Sequence, residues 1–260
     1  MEGIGLKDMT RSRTLKVGHY IGEFVTPGIG QILKAAGCDF VLLDMEHSGF
    51  GFDTVKSSLC YMQAADLPCI VRVPSKEGHH ISWACDVGAE GLMLPMVNSA
   101  EEAKDILEYM KYFPEGRRGV ALQIAHDRYQ PGPVLEKLGA ANKWTTLFVL
   151  IETTEGVRNA DAIAALDGVD CLWIGHVDLS CSLGIPGQFD HPTFTEATEQ
   201  VVDACRRHNK SLGRLVPTVQ EGVELFQMGF DFIIYSGDIW VLRNGVREAV
   251  TELRAKCEKK

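Results

Sequence analysis

The sequence lacks the features of several large protein classes. None of its eight cysteines belongs to a CxxC pair, and residues 1–13 contain no apolar stretch typical of a secretion signal. No apolar run approaches the roughly 20 residues that a membrane-spanning helix requires. We therefore expect mostly buried, unpaired thiols, a cytoplasmic location and no membrane partner.

Clustered positive charge is also missing. The 260-residue chain carries a formal net charge of −9 and has no run of Lys or Arg longer than two. Because binding to nucleic-acid phosphates needs clustered cations, we expect no nucleic-acid partner. A cleft can still concentrate positive charge locally, so an anionic small molecule remains open as a substrate.

What the sequence does contain is a regular alternation of β-rich runs and amphipathic stretches. Most of the β-rich runs are short and apolar without alternation, as in strands buried on both faces of a parallel sheet. Eight strands are predicted, at 16–23, 40–43, 69–73, 91–95, 146–151, 171–174, 211–215 and 232–235.

The stretches between these runs carry helix signals. Ser99, with Glu102 three residues later, predicts a capped helix start, and Thr218 or Pro217 opens a similar stretch. Three glycines predict helix ends before strands: Gly37, Gly88 and Gly229. Eight βα units in about 250 residues predict an α/β protein with a single (β/α)8 TIM barrel over residues 1–260.

The alternative fold is a doubly wound open sheet. Such a sheet usually has a glycine-rich phosphate turn after its first strand, and none follows the run at 16–23.

The segment at about 113–143 is longer than the roughly 2–6 residues usual for a βα loop. We expect this segment to be a functional loop on the substrate side of the barrel.

Charged residues follow several predicted strands. Four strands end in residues that do not suit an apolar core: Asp44, Glu46 and His47 after the second, Arg72 after the third, Glu152 after the fifth and Asp178 after the sixth. Active sites of (β/α)8 barrels lie at the C-terminal ends of the strands. Because all these ends face the same rim, the side chains can converge there.

The two carboxylates after the fifth and sixth strands have two interpretations. Glu152 and Asp178 are either salt-bridged strand ends or ligands of a divalent cation. Few cations stand near them in the sequence, so the carboxylates would repel each other without a metal. Carboxylate and water ligands suit Mg²⁺ or Mn²⁺.

The residues after the second and third strands also have two interpretations each. Arg72 either pairs with Asp44 or Glu46, or binds a substrate carboxylate or enolate. His47 is either a capped loop histidine or a general base that Asp44 holds in one tautomer. Tyr20, in the first strand, is interpreted as a packing residue, as is Trp240.

Six motifs occur in order along the chain: LDMEH (43–47), VRV (71–73), GLMLPMV (91–97), GRRGV (116–120), IET (151–153) and IGHVDLS (174–180). Together they resemble the HpcH/HpaI family of metal-dependent, class II pyruvate aldolases, over nearly the whole chain. The resemblance implies a (β/α)8 barrel and a homo-oligomer, usually a hexamer. It also implies a divalent metal, Mg²⁺ or Mn²⁺ first, with Co²⁺ or Zn²⁺ as alternatives.

By the same resemblance, Glu152 and Asp178 would be the metal ligands, and Arg72 would bind substrate and steady the pyruvate enolate. His47, oriented by Asp44, would move protons through a metal-bound water.

Five further positions take roles from the resemblance. Glu46 would lie in the next layer around the metal. Asp86 would reach the active site of a neighbouring subunit. The backbone of Gly175, His176 and Val177 would lie near the carboxylate of pyruvate.

The expected reaction is reversible retro-aldol cleavage of a 4-hydroxy-2-oxo acid to pyruvate and an aldehyde through a metal-stabilised enolate. No lysine stands at a strand end to form a Schiff base, which favours the metal route. Two alternatives stay open: a decarboxylase or hydrolase of a 2-oxo acid with the same metal–enolate site, and a non-catalytic binding protein on the same barrel.

Two stretches depart from the family pattern. Residues 175–180 read GHVDLS where the family usually has GPADLS, so His176 either adds a donor beside the substrate or is neutral. Residues 121–126 read ALQIAH where relatives commonly carry a Gly-Ser-Ala type stretch that touches substrate. Both departures bear on which substrate the site accepts.

Overall fold

The computed structural model describes residues 5–258 and contains a closed barrel of parallel strands. Each strand pairs with the next in the chain, and the last pairs with the first. The strands are β1 (Lys16–Ile21), β2 (Phe40–Asp44), β3 (Cys69–Arg72), β4 (Gly91–Leu94), β5 (Thr146–Ile151), β6 (Val169–Ile174), β7 (Ser211–Val216) and β8 (Phe232–Gly237). The predicted (β/α)8 barrel is confirmed; residues 1–4 and 259–260 of the predicted domain lie outside the described residues.

Helices surround this barrel. Within residues 5–258 they are α1 (Leu6–Met9), α2 (Ile29–Ala35), α3 (Phe52–Ala64), α4 (Gly78–Asp86), α5 (Ala100–Met110), α6 (Val134–Trp144), α7 (Thr154–Arg158), α8 (Ala160–Ala164), α9 (His176–Ser182), α10 (Pro192–Arg207), α11 (Val219–Met228) and α12 (Asp238–Cys257). A helix that follows a strand in such a barrel runs back along its outside. Its first turn therefore shares the rim with the C-terminal ends of the strands.

The strands are buried on both faces, as their apolar composition predicts. Inside the barrel, the ring of Phe232 packs edge to face on Phe40 and on Phe148, with centroids 5.1 and 5.5 Å apart. A second apolar layer, with Val41 and Leu172 among its fully buried members, lies between the strands and the helices. Truncating one of the interior rings to Ala would cost about 3–5 kcal/mol.

The predicted helix signals are confirmed. Oγ of Ser99 accepts the N–H of Glu102 at 3.1 Å, and Oγ1 of Thr218 accepts the N–H of Glu221 at 3.2 Å. The three predicted glycines have positive φ angles of 90°, 104° and 111°: Gly37, Gly88 and Gly229. This left-handed conformation favours glycine because a Cβ would be strained there.

The segment predicted as a loop at 113–143 needs correction in extent and in position. Residues Val134–Trp144 form α6, and the preceding Pro133 stands at its N-cap position. Pro133 therefore leads into a helix instead of excluding one. The irregular part joins α5 to α6 ahead of β5, so it begins at the N-terminal end of the barrel. It does not lie on the substrate side of its own barrel.

The cysteines are all unpaired, and half of them are buried. The buried ones are Cys69, Cys85, Cys171 and Cys205, Cys38 is half-buried, and the exposed ones are Cys60, Cys181 and Cys257. The expectation of mostly buried thiols is therefore met only in part. Across residues 5–258, no helix combines the length and apolar character needed to cross a membrane.

Candidate active site

Asp44 and Arg72 form a buried ion pair at the C-terminal rim. They end β2 and β3 and are register partners across this parallel pair. Arg72 donates from Nε to Oδ1 of Asp44 at 2.7 Å and from Nη2 to Oδ2 at 2.8 Å, while Nη1 lies 3.2 Å from Oε2 of Glu46. Burial alone would raise the pKa of Asp44, but the guanidinium outweighs it and holds this pKa below its usual value. Asp44 thus stays ionised and fixes the plane of the guanidinium.

Tyr20 joins this pair from β1. Its hydroxyl donates to Oδ2 of Asp44 at 2.7 Å. Burial and this hydrogen bond raise the pKa of the phenol, so Tyr20 acts as a donor. The interpretation of Tyr20 as a packing residue is therefore incomplete. The signal that could have revealed it is its position near the C-terminal end of a barrel strand.

The imidazole of His47 is not held by Asp44. Asp44 instead accepts the backbone N–H groups of Glu46 at 3.0 Å and His47 at 3.3 Å, because the turn after β2 folds these donors over the carboxylate. The imidazole Nε2 lies 3.8 Å from Oε2 of Glu46, and the side chain is 61% exposed. The expected contact between imidazole and Asp44 is thus absent, and proton transfer by His47 stays a prediction.

Glu152 is a buried carboxylate after the last residue of β5. It is 4% exposed, and its Oε1 accepts the N–H of Met96 at 2.7 Å. Burial raises the pKa of Glu152 to about 7, and the negative charges of Glu46 and Asp178 add to the rise. A positive charge placed among these carboxylates would favour their ionised forms.

Asp178 lies in the first turn of α9, directly after β6, and is exposed. Burial is the main cause that raises the pKa of both Glu152 and Glu46, and the negative charge of Asp178 adds to the rise in each. The two strand-end carboxylates predicted as ligands therefore lie within electrostatic reach of each other. Within residues 5–258, no three His, Cys, Asp or Glu side chains form a group that could hold a metal. Two oxygen ligands beside open positions nonetheless fit Mg²⁺ or Mn²⁺, which keep waters or substrate oxygens in their coordination shell.

The start of α9 lies against Glu152. A Cβ on Gly175 would overlap the Glu152 carboxylate, so the helix can approach only with glycine at this position. The N–H of Gly175 donates to the carbonyl of Ile151 at 3.2 Å. The first N–H groups of a helix have no partner within the helix, which leaves those of His176 and Val177 for a ligand.

The ring of His176 packs on Phe189, edge to face, with centroids 5.1 Å apart. Burial lowers the pKa of His176 to about 4, and the charge of Arg214 adds to this effect. Arg214 lies on β7, is 5% exposed and pairs with Glu221 at 2.9 Å. The side chain of His176, the first residue of α9, is thus a neutral ring that packs on Phe189.

Asp86 is separate from the strand-end residues. It ends α4, which runs away from the rim. Arg118 donates to its Oδ1 from Nη2 at 2.5 Å and from Nε at 3.2 Å. The structure therefore does not bring Asp86 to the site of its own barrel, and its predicted role depends on a second subunit.

Comparison with known proteins gives the family. The HpcH/HpaI aldolase/citrate lyase model matches residues 25–245, a span that includes Asp44, Arg72, Glu152 and Asp178. The chain belongs to the HpcH/HpaI aldolase/citrate lyase family. It is an enzyme of the lyase class, as predicted, and the non-catalytic alternative loses its support.

Individual relatives agree with this assignment. The chain is 32% identical over 218 residues to the 5-keto-4-deoxy-D-glucarate aldolase of Shigella boydii serotype 18 (strain CDC 3083-94 / BS512), and the match covers 84% of each chain. The crystal structure of an HpcH/HpaI aldolase from Desulfitobacterium hafniense DCB-2 matches with a TM-score of 0.91, 29% identity and 97% coverage of both chains. The structure of citrate synthase SbnG matches with a TM-score of 0.87, 25% identity and coverage of 98% of this chain and 100% of that one.

Proposed function

We propose that this HpcH/HpaI family enzyme cleaves a 4-hydroxy-2-oxo acid reversibly to pyruvate and an aldehyde in a metal-dependent retro-aldol reaction. The observation that carries the proposal is the meeting of a buried carboxylate, Glu152, with Asp178 and the Arg72 guanidinium at one rim. The charges of Asp178 and Arg72 both act on the pKa of Glu152. Such a site suits a substrate that develops negative charge on oxygen beside a carboxylate.

Glu152 and Asp178 would hold the metal. Their oxygens suit Mg²⁺ or Mn²⁺, with Co²⁺ or Zn²⁺ as alternatives, because carboxylate sites discriminate weakly among these ions. When bound, the cation would supply positive charge that stabilises an enolate. Glu46 would lie next to these ligands and help to position Arg72 and His47, since its Oε2 is 3.2 Å from Nη1 of Arg72 and 3.8 Å from Nε2 of His47.

Arg72 would bind the developing enolate. Asp44 occupies Nε and one hydrogen of Nη2, and Nη1 contacts Glu46 at 3.2 Å, so one hydrogen each on Nη1 and Nη2 remains for a ligand. A planar cation fixed along one edge is ready to donate from the other without reorganising. The free N–H groups of His176 and Val177 would bind the substrate carboxylate.

His47 would handle the protons. In cleavage, the C4 hydroxyl loses its proton, the bond between C3 and C4 breaks, and its electron pair remains on C3 as the enolate of pyruvate. C4 leaves as the aldehyde, and a proton returned to C3 completes pyruvate. The exposed imidazole of His47 is open to water, so it can take and return these protons through a water molecule.

We also propose that the chain forms a homo-oligomer, with a hexamer as the expected form. Helix α12 presents a row of exposed apolar side chains: Ile239, Val241, Leu242, Val246, Val250 and Leu253. A surface of this kind is typical of a protein–protein interface. A neighbouring copy would also give Asp86 a site to reach. The unpaired cysteines support a cytoplasmic location.

The decisive experiment measures pyruvate release from a panel of 4-hydroxy-2-oxo acids, including 5-keto-4-deoxy-D-glucarate, for which relatives are named. Assays would contain Mg²⁺ or Mn²⁺, or EDTA, and would include Glu152→Gln. The matched control is Glu155→Gln, which changes an exposed glutamate in the next helix. We expect metal-dependent release that is lost with EDTA and with Glu152→Gln and retained with Glu155→Gln.

Oxaloacetate belongs in the panel as a substrate that yields pyruvate without aldol cleavage. Pyruvate from oxaloacetate alone would favour the decarboxylase alternative. No pyruvate from any substrate, despite measured Mn²⁺ binding, would refute the aldolase proposal.

A further inference from the structure

Tyr20 occupies a slot that the chain builds around its ring. A Cβ on Gly22 would overlap the Tyr20 ring and hydroxyl, and a Cβ on Gly237 would lie 2.7 Å from the ring. Trp240 stacks on the ring, with centroids 5.4 Å apart and planes inclined by 23°. Two glycines and one stacked indole thus fix where the hydroxyl points.

The start of α12 holds one wall of this slot. The carboxylate of Asp238 accepts the N–H groups of Gly22 at 3.2 Å, Glu23 at 2.9 Å and Phe24 at 2.8 Å. These bonds tie the turn after β1 to the first residue of α12. Because Gly22 and Trp240 border the Tyr20 ring, the packing of this helix start determines the position of Tyr20.

The hydroxyl then acts on the ion pair. Within residues 5–258, Tyr20 and Arg72 are the side chains that donate to the carboxylate of Asp44, which also accepts the backbone N–H groups of Glu46 and His47. Oδ2 accepts from both, at 2.7 and 2.8 Å, so the Tyr20 bond opposes rotation of the carboxylate about its Cβ–Cγ bond. The guanidinium is fixed along one edge by that carboxylate, so its opposite edge follows the carboxylate plane.

We propose that Tyr20 is a positioning residue that sets the orientation of the Asp44–Arg72 pair, and that the start of α12 keeps Tyr20 in place. The effect of Tyr20 on the position of Arg72 follows from these contacts alone. The effect of Tyr20 on turnover rests on the proposed aldolase function.

The test compares Tyr20→Phe, which keeps the ring in its slot and removes the hydroxyl, with Tyr61→Phe on the outer helix α3. Crystal structures of the wild type and of Tyr20→Phe report the guanidinium of Arg72 without any assay of activity. We expect the two-bond fork between Arg72 and Asp44 in the wild type, and a rotated carboxylate with the fork lost or split over two conformers in Tyr20→Phe. A fork that is unchanged in Tyr20→Phe would overturn the proposal, whatever the activity.

Kinetics give the second readout. Tyr20→Phe should keep the Tm of the wild type and a Kd for Mn²⁺ within twofold of it. We expect its kcat to fall roughly 10-fold or more, as for loss of a hydrogen bond to a charged group, while KM changes little. Tyr61→Phe should match the wild type. A kcat within twofold of the wild type would overturn the catalytic part. A lost fork in an enzyme without aldolase activity would uphold the positioning role and refute the proposed function.

Discussion

Replacing Arg72 by Lys tests whether the planar fork, and not positive charge alone, organises the rim. Arg72 donates twice to Asp44, which is 0% exposed, and contacts Glu46 at 3.2 Å. Lysine keeps the charge but offers one nitrogen, so at least one charge-assisted bond is lost. Each such bond contributes about 1.5–3 kcal/mol, so we expect the free energy of unfolding to fall by about 2 kcal/mol. Arg72→Met removes the counterion of a buried carboxylate and should cost about 3–5 kcal/mol.

The effect on activity should exceed the effect on stability. If the edge of the guanidinium opposite Asp44 binds the enolate, Arg72→Lys should lower kcat/KM roughly 100-fold, since each 1.4 kcal/mol lost in the transition state is tenfold in rate. Urea unfolding followed by circular dichroism measures stability, and pyruvate coupled to lactate dehydrogenase measures kcat/KM. The control is Arg158→Lys, at an exposed position on α7. A kcat/KM for Arg72→Lys within threefold of the wild type would show that a point charge suffices and would refute the role of the fork.

Two further predictions concern stability and assembly. Burial raises the pKa of Glu90 from 4.5 to about 7, so the folded state holds an extra proton between these values. The free energy of unfolding should therefore decrease by up to about 3 kcal/mol as pH rises from 4.5 to about 7, and this decrease should be smaller in Glu90→Gln. Urea unfolding at a series of pH values measures it, and an equal decrease in both proteins would contradict the prediction. Leu242→Asp, at a 54% exposed position on α12, should shift the protein to smaller species in light scattering. A wild-type protein that is already monomeric would rule out the oligomer.

The outcome for the predicted loop at 113–143 illustrates where local signals mislead. Prolines near 131–133 are typical of irregular chain, but Pro133 also stands at the N-cap position of α6, where a missing N–H costs nothing. The position of this segment follows from its place after α5, which returns the chain to the N-terminal end of the barrel. The order of elements along the chain therefore predicts the position of this segment, whereas its composition alone does not.

The sequence by itself determined the barrel and the set of charged strand ends. Apolar runs buried on both faces leave few alternatives to a parallel sheet, and strand ends are where Asp44, Arg72 and Glu152 had to meet. These predictions are local, because each depends on the residues of one strand and on the rule that parallel strands end together.

The tertiary structure alone decided which side chains touch within that rim. Whether Asp44 would bind the imidazole of His47 or its backbone depends on the turn after β2, and the structure forms the backbone bond. Tyr20 reaches Asp44 because β1 and β2 are neighbours and because distant residues, Gly237 and Trp240, shape its slot. Hydrogen bonds depend on positions to within a few tenths of an ångström, and those positions are set by packing across the whole barrel, which no single segment encodes.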